Sequence, residues 1–323
     1  MMKQEYNDQK HMQRTNELEN HPKIKGYNFS KEFNFKEFIE SFATTGFQAT
    51  ELYKAITILE EMQNTKTPIY ISFTGNAISS GLREIITYLA KEKKVHTIIT
   101  TASGVEEDII KHLSTFKLGE FEITGRSLFE HGVGRIGNIF VPNNRYLYLE
   151  RFIQELLKEI YSEEKTTTPS KLIKRAGEKL GEDSYLYWAT KNNIPIYSPG
   201  IMDGSLGDLI YFFKQKHKDF QIDVTNDHTQ LINEVLQQEK TGALILGGGI
   251  SKHYNLNAQI FKEGFDYAIY LTTANEYDGS DSGGNIEEAK TWAKIKLNAP
   301  TAKVRAEFTL TFPLLIAATQ NKN

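Results

Sequence analysis

The feature that most constrains this chain is a recurring unit, in which a short apolar run closes on a glycine or polar turn and is followed by helical spacing. The runs are IYISFT (69–74), VHTIITTA (95–102), PIYSPG (195–200), ALILGG (243–248) and the β-branched stretch Tyr267 to Thr273. Strands that alternate with helices pair in parallel through crossovers, so a mostly parallel sheet covered on both faces is predicted. Ahead of these units, apolar positions at helical spacing (Phe35, Phe38, Ile39, Phe42, then Leu52, Ala55, Ile56, Ile58, Leu59) predict two amphipathic helices joined near Thr45-Gly46. The segment 150–193 reads as charged helix. Its run Lys171, Lys174, Arg175 and Lys179 is a solvated face with Glu178 and Glu182 interleaved. No repeat of fixed period is visible.

The fold class expected is therefore α/β: a Rossmann-like, mostly parallel sheet with helices on both faces and a helical N-terminal extension. The 323 residues, 39% hydrophobic, are read as one catalytic domain over 26–323, preceded by a polar tail over 1–25. That tail is expected to be mobile, having little apolar surface to bury. A net charge of −3 gives no reason to expect nucleic acid as a partner. No run approaches the roughly 18 apolar residues of a membrane span, and the first residues lack the apolar core of a signal peptide. A soluble cytoplasmic protein is expected. With no cysteine, disulfides, thiol nucleophiles and thiolate metal sites are excluded. The scattered histidines form no ligand set, and no metal is expected.

Ligands of open α/β sheets gather at the carboxyl ends of the strands. Here those positions carry Gly75-Asn76-Ala77-Ile78-Ser79, Thr101-Ala102-Ser103-Gly104, Asp203-Gly204-Ser205-Leu206-Gly207-Asp208 and Gly247-Gly248-Gly249. Each could bring backbone N–H groups to a phosphate. Singly each is weak, because glycine after a strand is usually a turn. The G-x-G-x-x-G fingerprint is absent, since Lys252 stands where the third glycine would be. The densest chemistry lies in 266–296. A buried strand there runs into an acidic, Gly- and Ser-rich loop (Asn275 to Asn285). The loop opens a helix in which Glu287, Glu288, Trp292 and Lys294 follow. Four carboxylates (Glu276, Asp278, Asp281, Glu288) around a Trp and a Lys suit a cationic substrate.

This stretch, with Trp292-Ala293-Lys294-Ile295, resembles the active-site segment of the deoxyhypusine synthase family, whose motif is Trp-Gly-Lys-Ile. Further segments match in order: TTGFQAT (44–50), SSGLREIITYL (79–89), TTASGVEED (100–108), RIGNIFVPN (135–143), IPIYSPGIMDGSLGD (194–208), LGGGISKHYNLNA (246–258), TTANEYDGSDSGG (272–284) and FTLTFPLLIA (308–317). The resemblance implies NAD as cofactor. It places Asn76, Ser79, Thr101, Ala102, Ser103, Asp203, Gly248, Thr273, Glu307 and Phe308 near it. The family often has Gly where Ser103 stands, and usually Asp-Ala where Glu307-Phe308 stand. Ala293 replaces the motif's glycine, and within a helix alanine is the better former.

For the polyamine the resemblance implies Glu106, Glu107, Asp208, Asp281 and Glu288 as carboxylates, Trp292 and Tyr270 as aromatic wall, and Asn257, Gly279 and Ser280 beside them. His253 and Asn257, four apart, share a face if helical. His253 matches a family residue at the polyamine's secondary amine, and the resemblance implies it as an acid/base group. Lys294 matches the family's imine-forming lysine. As a nucleophile it must be neutral; burial beside Trp292, or a cation such as Lys290, favours that form and the carboxylates oppose it. Read from spacing alone, Lys294 is a surface lysine in an amphipathic helix.

The implied reaction is NAD-dependent transfer of spermidine's 4-aminobutyl group, through a Lys294 imine, to a lysine of translation factor 5A, with release of 1,3-diaminopropane. The implied assembly is a homotetramer whose pocket closes across a subunit interface. A homospermidine synthase using putrescine as acceptor would keep the same motifs. An inactive NAD-binding paralogue subunit would be expected to have lost the lysine.

Overall fold

The computed structural model describes residues 20–320. Most of the expected tail, 1–19, lies outside the described residues. From Lys25 the chain is tied down: its N–H donates to the Thr44 carbonyl (3.0 Å) and its carbonyl accepts from Thr44 Oγ1 (2.7 Å).

Six strands form one sheet: β1 (Ile69–Ser72), β2 (Thr97–Ile99), β3 (Ile196–Tyr197), β4 (Gly242–Leu246), β5 (Tyr267–Leu271) and β6 (Thr301–Val304). Every pairing among them is parallel. Across the sheet the order is β6-β5-β4-β1-β2-β3, the doubly wound order whose connections reverse direction between β1 and β4. Side chains alternate between two cores. Ile69 and Ile71, Leu244 and Leu246, and Ile269 and Leu271 face one; Tyr70, Ala243 and Ile245, and Ala268 and Tyr270 face the other. β1, β4 and β5 are buried along their whole length, which is why they read as unbroken apolar runs.

Helices cover both faces. On the larger core lies the predicted N-terminal pair, α1 (Phe35–Thr45) and α2 (Phe47–Asn64), turning at Gly46 with φ 94°. α2 buries Leu52, Ala55, Ile56, Ile58, Leu59 and Met62, the Leu, Ile and Met side chains each contributing about 1.5–3 kcal/mol. It lies so close to the sheet that a Cβ on Gly242 would come within 2.1 Å of Met62 Sδ. On the smaller core lie the helices Val224–Leu236, Gly249–Ala258 and Ile286–Thr291.

Two features differ from expectation. The region 117–142 holds an antiparallel three-stranded sheet, Val133–Ile136 and Ile139–Pro142 in a hairpin flanked by Lys117–Leu118. Its signal was a few apolar residues on either side of the Gly137-Asn138 turn, and Gly137 takes φ 58°. The helical region beyond it breaks into Arg145–Glu163, Pro169–Gly177 and Tyr185–Lys191. Three of the four cations of its basic run are paired, Arg175 with Glu163 (2.6 Å) and Glu178 (3.5 Å), Lys179 with Glu159 (2.8 Å) and Lys171 with Glu164 (3.5 Å). Three of those partners belong to the preceding helix or its end, so the run holds helices together as well as facing water.

Candidate active site

The strand order reverses between β1 and β4, and in sheets of this order the ligand crevice opens at the carboxyl edge, where the connections part. On the β1 side Gly75 N–H donates to Thr101 Oγ1 (3.2 Å), which in turn bonds Ser103 Oγ (2.8 Å). On the β4 side Gly247 and Gly249 take φ 77° and 70°, values that glycine adopts without the Cβ penalty. Gly248 lies against the acidic loop, where a Cβ would meet Ser282 at 2.4–2.7 Å. The segments after β2 and β3 also come together, a Cβ on Gly204 falling within 3.1 Å of Ala102 and Glu106.

All ten residues expected near a cofactor follow a strand end: Asn76 and Ser79 after β1, Thr101, Ala102 and Ser103 after β2, Asp203 after β3, Gly248 after β4, Thr273 after β5, and Glu307 and Phe308 after β6. Not all present a free group. Ser79 Oγ bonds the Gly75 carbonyl and the Glu107 carboxylate. Glu307 caps the helix Phe308–Gln320, accepting from Thr309 N–H (2.9 Å) and Thr309 Oγ1. Phe308 stands beside the glycine turn, 3.5 Å from the place of a Cβ on Gly247.

His253 and Asn257 lie on one helix, Gly249–Ala258, as their spacing predicts. Lys294 Nζ stands 3.3 Å from His253 Nε2, although the residues are 41 apart in sequence. Asp281, Glu288 and Asp208 are exposed carboxylates. Glu288 opens the helix Ile286–Thr291, where Asn285 Oδ1 caps its N–H (2.9 Å). Gly279 turns the loop with φ 74°, and Ser280 caps the short turn Asp281–Gly283.

Several expectations are corrected. The helix ends at Thr291, so Lys294 lies beyond it rather than on it. Ala293 has φ 52°. Its N–H donates to the Lys290 carbonyl (3.0 Å), and Lys294 N–H to that of Ala289 (3.0 Å). These two bonds form a Schellman cap with Ala293 at its left-handed position. Alanine's helix propensity is therefore irrelevant here, and the motif's glycine suits the geometry better. Beyond the cap, Lys294 carbonyl accepts from Phe265 N–H (3.0 Å), which stitches the lysine to the start of β5.

Tyr270 is 1% exposed, and its hydroxyl has no hydrogen-bond partner. It lies beneath Lys252 Nζ, 5.3 Å from the ring centroid, and is not an open wall in a single chain. Trp292, by contrast, is 64% exposed and gives Lys294 no apolar enclosure. Lys290 is held on Glu287 (2.8 Å).

Glu106 and Glu107 are buried. Glu106 Oε2 accepts from Leu206 N–H (2.7 Å) and so braces the helix Ser205–Lys216; burial raises its pKa. Glu107 bonds Ser79, and burial lifts its carboxyl to about 8. Within one chain these two carboxylates brace loops.

Sequence reasoning missed Lys252, Lys303 and Ser282, all of which hold the acidic loop. Lys252 Nζ donates to the Asp281 carbonyl (2.6 Å), Lys303 Nζ to that of Gly283 (2.8 Å), and Ser282 Oγ accepts from Gly249 N–H (2.8 Å). A buried lysine looks like any other lysine in sequence. The one clue was a lysine where the dinucleotide fingerprint would place glycine.

Residues 37–319 match the family model "Deoxyhypusine synthase". The chain is similar to the deoxyhypusine synthase of Musa acuminata, 40% identical over 329 residues (92% of this chain, 88% of the relative). To that of Senecio vernalis it is 41% identical over 329 residues (92% and 88%). A solved structure proposed to be a deoxyhypusine synthase, from Entamoeba histolytica, superposes with TM-score 0.62 at 27% identity, covering 91% of this chain and 96% of that one. The matched span takes in most of α1, the whole parallel sheet, the acidic loop and Lys294, and on that ground the chain belongs to the deoxyhypusine synthase family of transferases.

Proposed function

We propose that this chain transfers the 4-aminobutyl group of spermidine to a lysine side chain of translation factor 5A, with Lys294 as the covalent carrier. The observation that carries this reading is the 3.3 Å approach of Lys294 Nζ to His253 Nε2 beside the acidic loop. Family membership supplies the reaction class, and the reversal of strand order between β1 and β4 marks the place where sheets of this kind bind their ligands. The left-handed Gly247 and Gly249 form a glycine turn at the end of β4, the kind of turn that lets backbone come close to a dinucleotide phosphate. Asn76, Thr101, Ser103, Asp203 and Thr273 are the residues that would surround NAD. When bound, NAD supplies the acceptor and later the donor of one hydride.

The chain's own residues do the rest. Asp208, Asp281 and Glu288 draw the ammonium groups of the substrate into the crevice. Once the C–N bond beside the secondary amine is an imine, Lys294 Nζ adds to its carbon and 1,3-diaminopropane leaves. The four-carbon unit then remains on the lysine as an imine. His253 Nε2 takes the proton Lys294 gives up on attack and returns one to the departing amine. The acceptor amine adds to the same carbon and displaces Lys294, and reduction of the new imine completes the transfer without net redox change. Exposed Met202, Ile250, Tyr277 and Trp292 around the crevice support a second copy closing the site, within the family's tetramer.

The test is borohydride trapping with NAD and spermidine, followed by peptide mapping. An aminobutyl adduct on Lys294 is expected, and Lys294→Ala should lose both adduct and transfer while still binding NAD. An adduct on another residue refutes the assignment. Offering putrescine in place of the translation factor distinguishes a small-molecule acceptor: homospermidine as the better product would replace the protein acceptor.

A further inference from the structure

Two lysines that this chemistry leaves unused grip the acidic loop from beneath. Lys252, in the first turn of the helix Gly249–Ala258, is 3% exposed. Its ammonium donates to the carbonyls of Asp281 (2.6 Å), Gly284 (3.1 Å) and Ser282 (3.4 Å), with the Tyr270 ring on another side. Lys303, on β6, donates to the Gly283 carbonyl (2.8 Å) and stands 3.7 Å from Glu276. Four successive carbonyls, 281–284, therefore converge on two ammonium groups. Backbone with irregular geometry needs such partners when it lies against a core.

The same loop touches the other half of the site. Ser282 Oγ accepts from Gly249 N–H (2.8 Å), and the Ser282 side chain fills the space a Cβ on Gly248 would need. Asp281, one residue earlier, carries a carboxylate assigned to the polyamine. The loop thus reaches the polyamine carboxylates on one side and the glycine turn on the other.

We infer that Lys252 and Lys303 are positioning residues: a two-lysine clasp that fixes the register of the 275–285 loop and couples polyamine binding to the shape of the glycine turn. The inference rests on the function proposed above for what the loop binds, but not for the clasp itself. A lysine suits position 252 because one tetrahedral ammonium can serve three carbonyls spread around a curve, whereas a guanidinium is bulkier and holds its donors in one plane. Burial lowers the Lys252 pKa, with the Asp281 charge opposing. Its donors are committed and the group is enclosed, so this is not the attacking amine.

Hydrogen exchange and binding on the full chain test this, with Lys252→Met, Lys252→Arg and Lys303→Met. In Lys252→Met, amides 280–286 should exchange at least tenfold faster while those of β4 and β5 keep wild-type rates. The KM for spermidine should rise about tenfold and the Kd for NAD several-fold. Lys252→Arg should rescue neither in full, and Lys303→Met should show the same pattern more weakly. Unchanged exchange in the loop of a folded Lys252→Met or Lys303→Met variant overturns the clasp. Faster exchange throughout the sheet as well overturns it in favour of general structural support. A loosened loop with unchanged spermidine and NAD parameters overturns the coupling. If the wild-type protein does not turn over spermidine, the proposed function fails, while loop exchange and NAD affinity still decide the clasp.

Discussion

Ala293→Gly is expected to stabilise this protein, although glycine usually weakens a structure. Ala293 holds φ 52° at the left-handed position of the cap that delivers Lys294. An L-residue there costs about 1–2 kcal/mol, and glycine has no such penalty. Glycine also gives the unfolded chain more freedom, which offsets about 0.4–1 kcal/mol of the gain. Ala293 is exposed, so losing its methyl group forfeits no burial. The balance is a stabilisation on the order of 0.5–1 kcal/mol, or a rise in Tm of roughly 1 °C for a chain of this length. Ala293→Val should act oppositely, because a β-branched side chain tolerates φ > 0 less well than alanine. Calorimetry of the three proteins at one fixed concentration reads the order Gly, Ala, Val from high to low Tm. A glycine variant below the wild type, or a valine variant equal to it, would mean that residue 293 is not left-handed and that the cap does not set the lysine.

Two further outcomes can be measured. Glu107, lifted by burial to about 8 from 4.5, keeps a proton in the folded chain that the unfolded chain has released. Stability on its account is therefore full below about 4.5 and falls as pH rises to about 8. Glu107→Gln should then raise Tm over the wild type by more at pH 8.5 than at pH 5, and a difference constant with pH would remove the buried protonated carboxyl. Asp281→Asn and Glu288→Gln should each raise the KM for spermidine by at least tenfold, about 1.4 kcal/mol, with NAD affinity changed far less; equal losses for both ligands would take that carboxylate out of the polyamine pocket.

Sequence by itself determined the elements and their class. Runs such as ALIL and YAIYL are apolar at every position because both faces of those strands are covered. The break at Thr45-Gly46 and the i, i+4 pairing of His253 with Asn257 are likewise local properties of backbone period. The ordered segments that resemble the family carried the rest, including Lys294, which spacing alone would leave as a surface residue. Short strands punctuated by glycine, as in 133–142, were harder to read, because two apolar residues on either side of a turn scarcely differ from loop.

Only the tertiary structure decided the contacts made across distance. Lys294 meets His253 because β4 and β5 are neighbours in the sheet, an arrangement set by burial of whole strands and not by either residue. Glu106 and Glu107 are acidic in sequence, yet the packing of their helix beneath the loops after β1 and β3 turns them into buried braces. Ala293 shows the same division. Its identity suggests helix, but the two cap bonds place it where the chain must reverse. Backbone reversals and buried polar contacts are settled by which groups still need partners once the sheet and helices have packed, and that need depends on neighbours dozens of residues away.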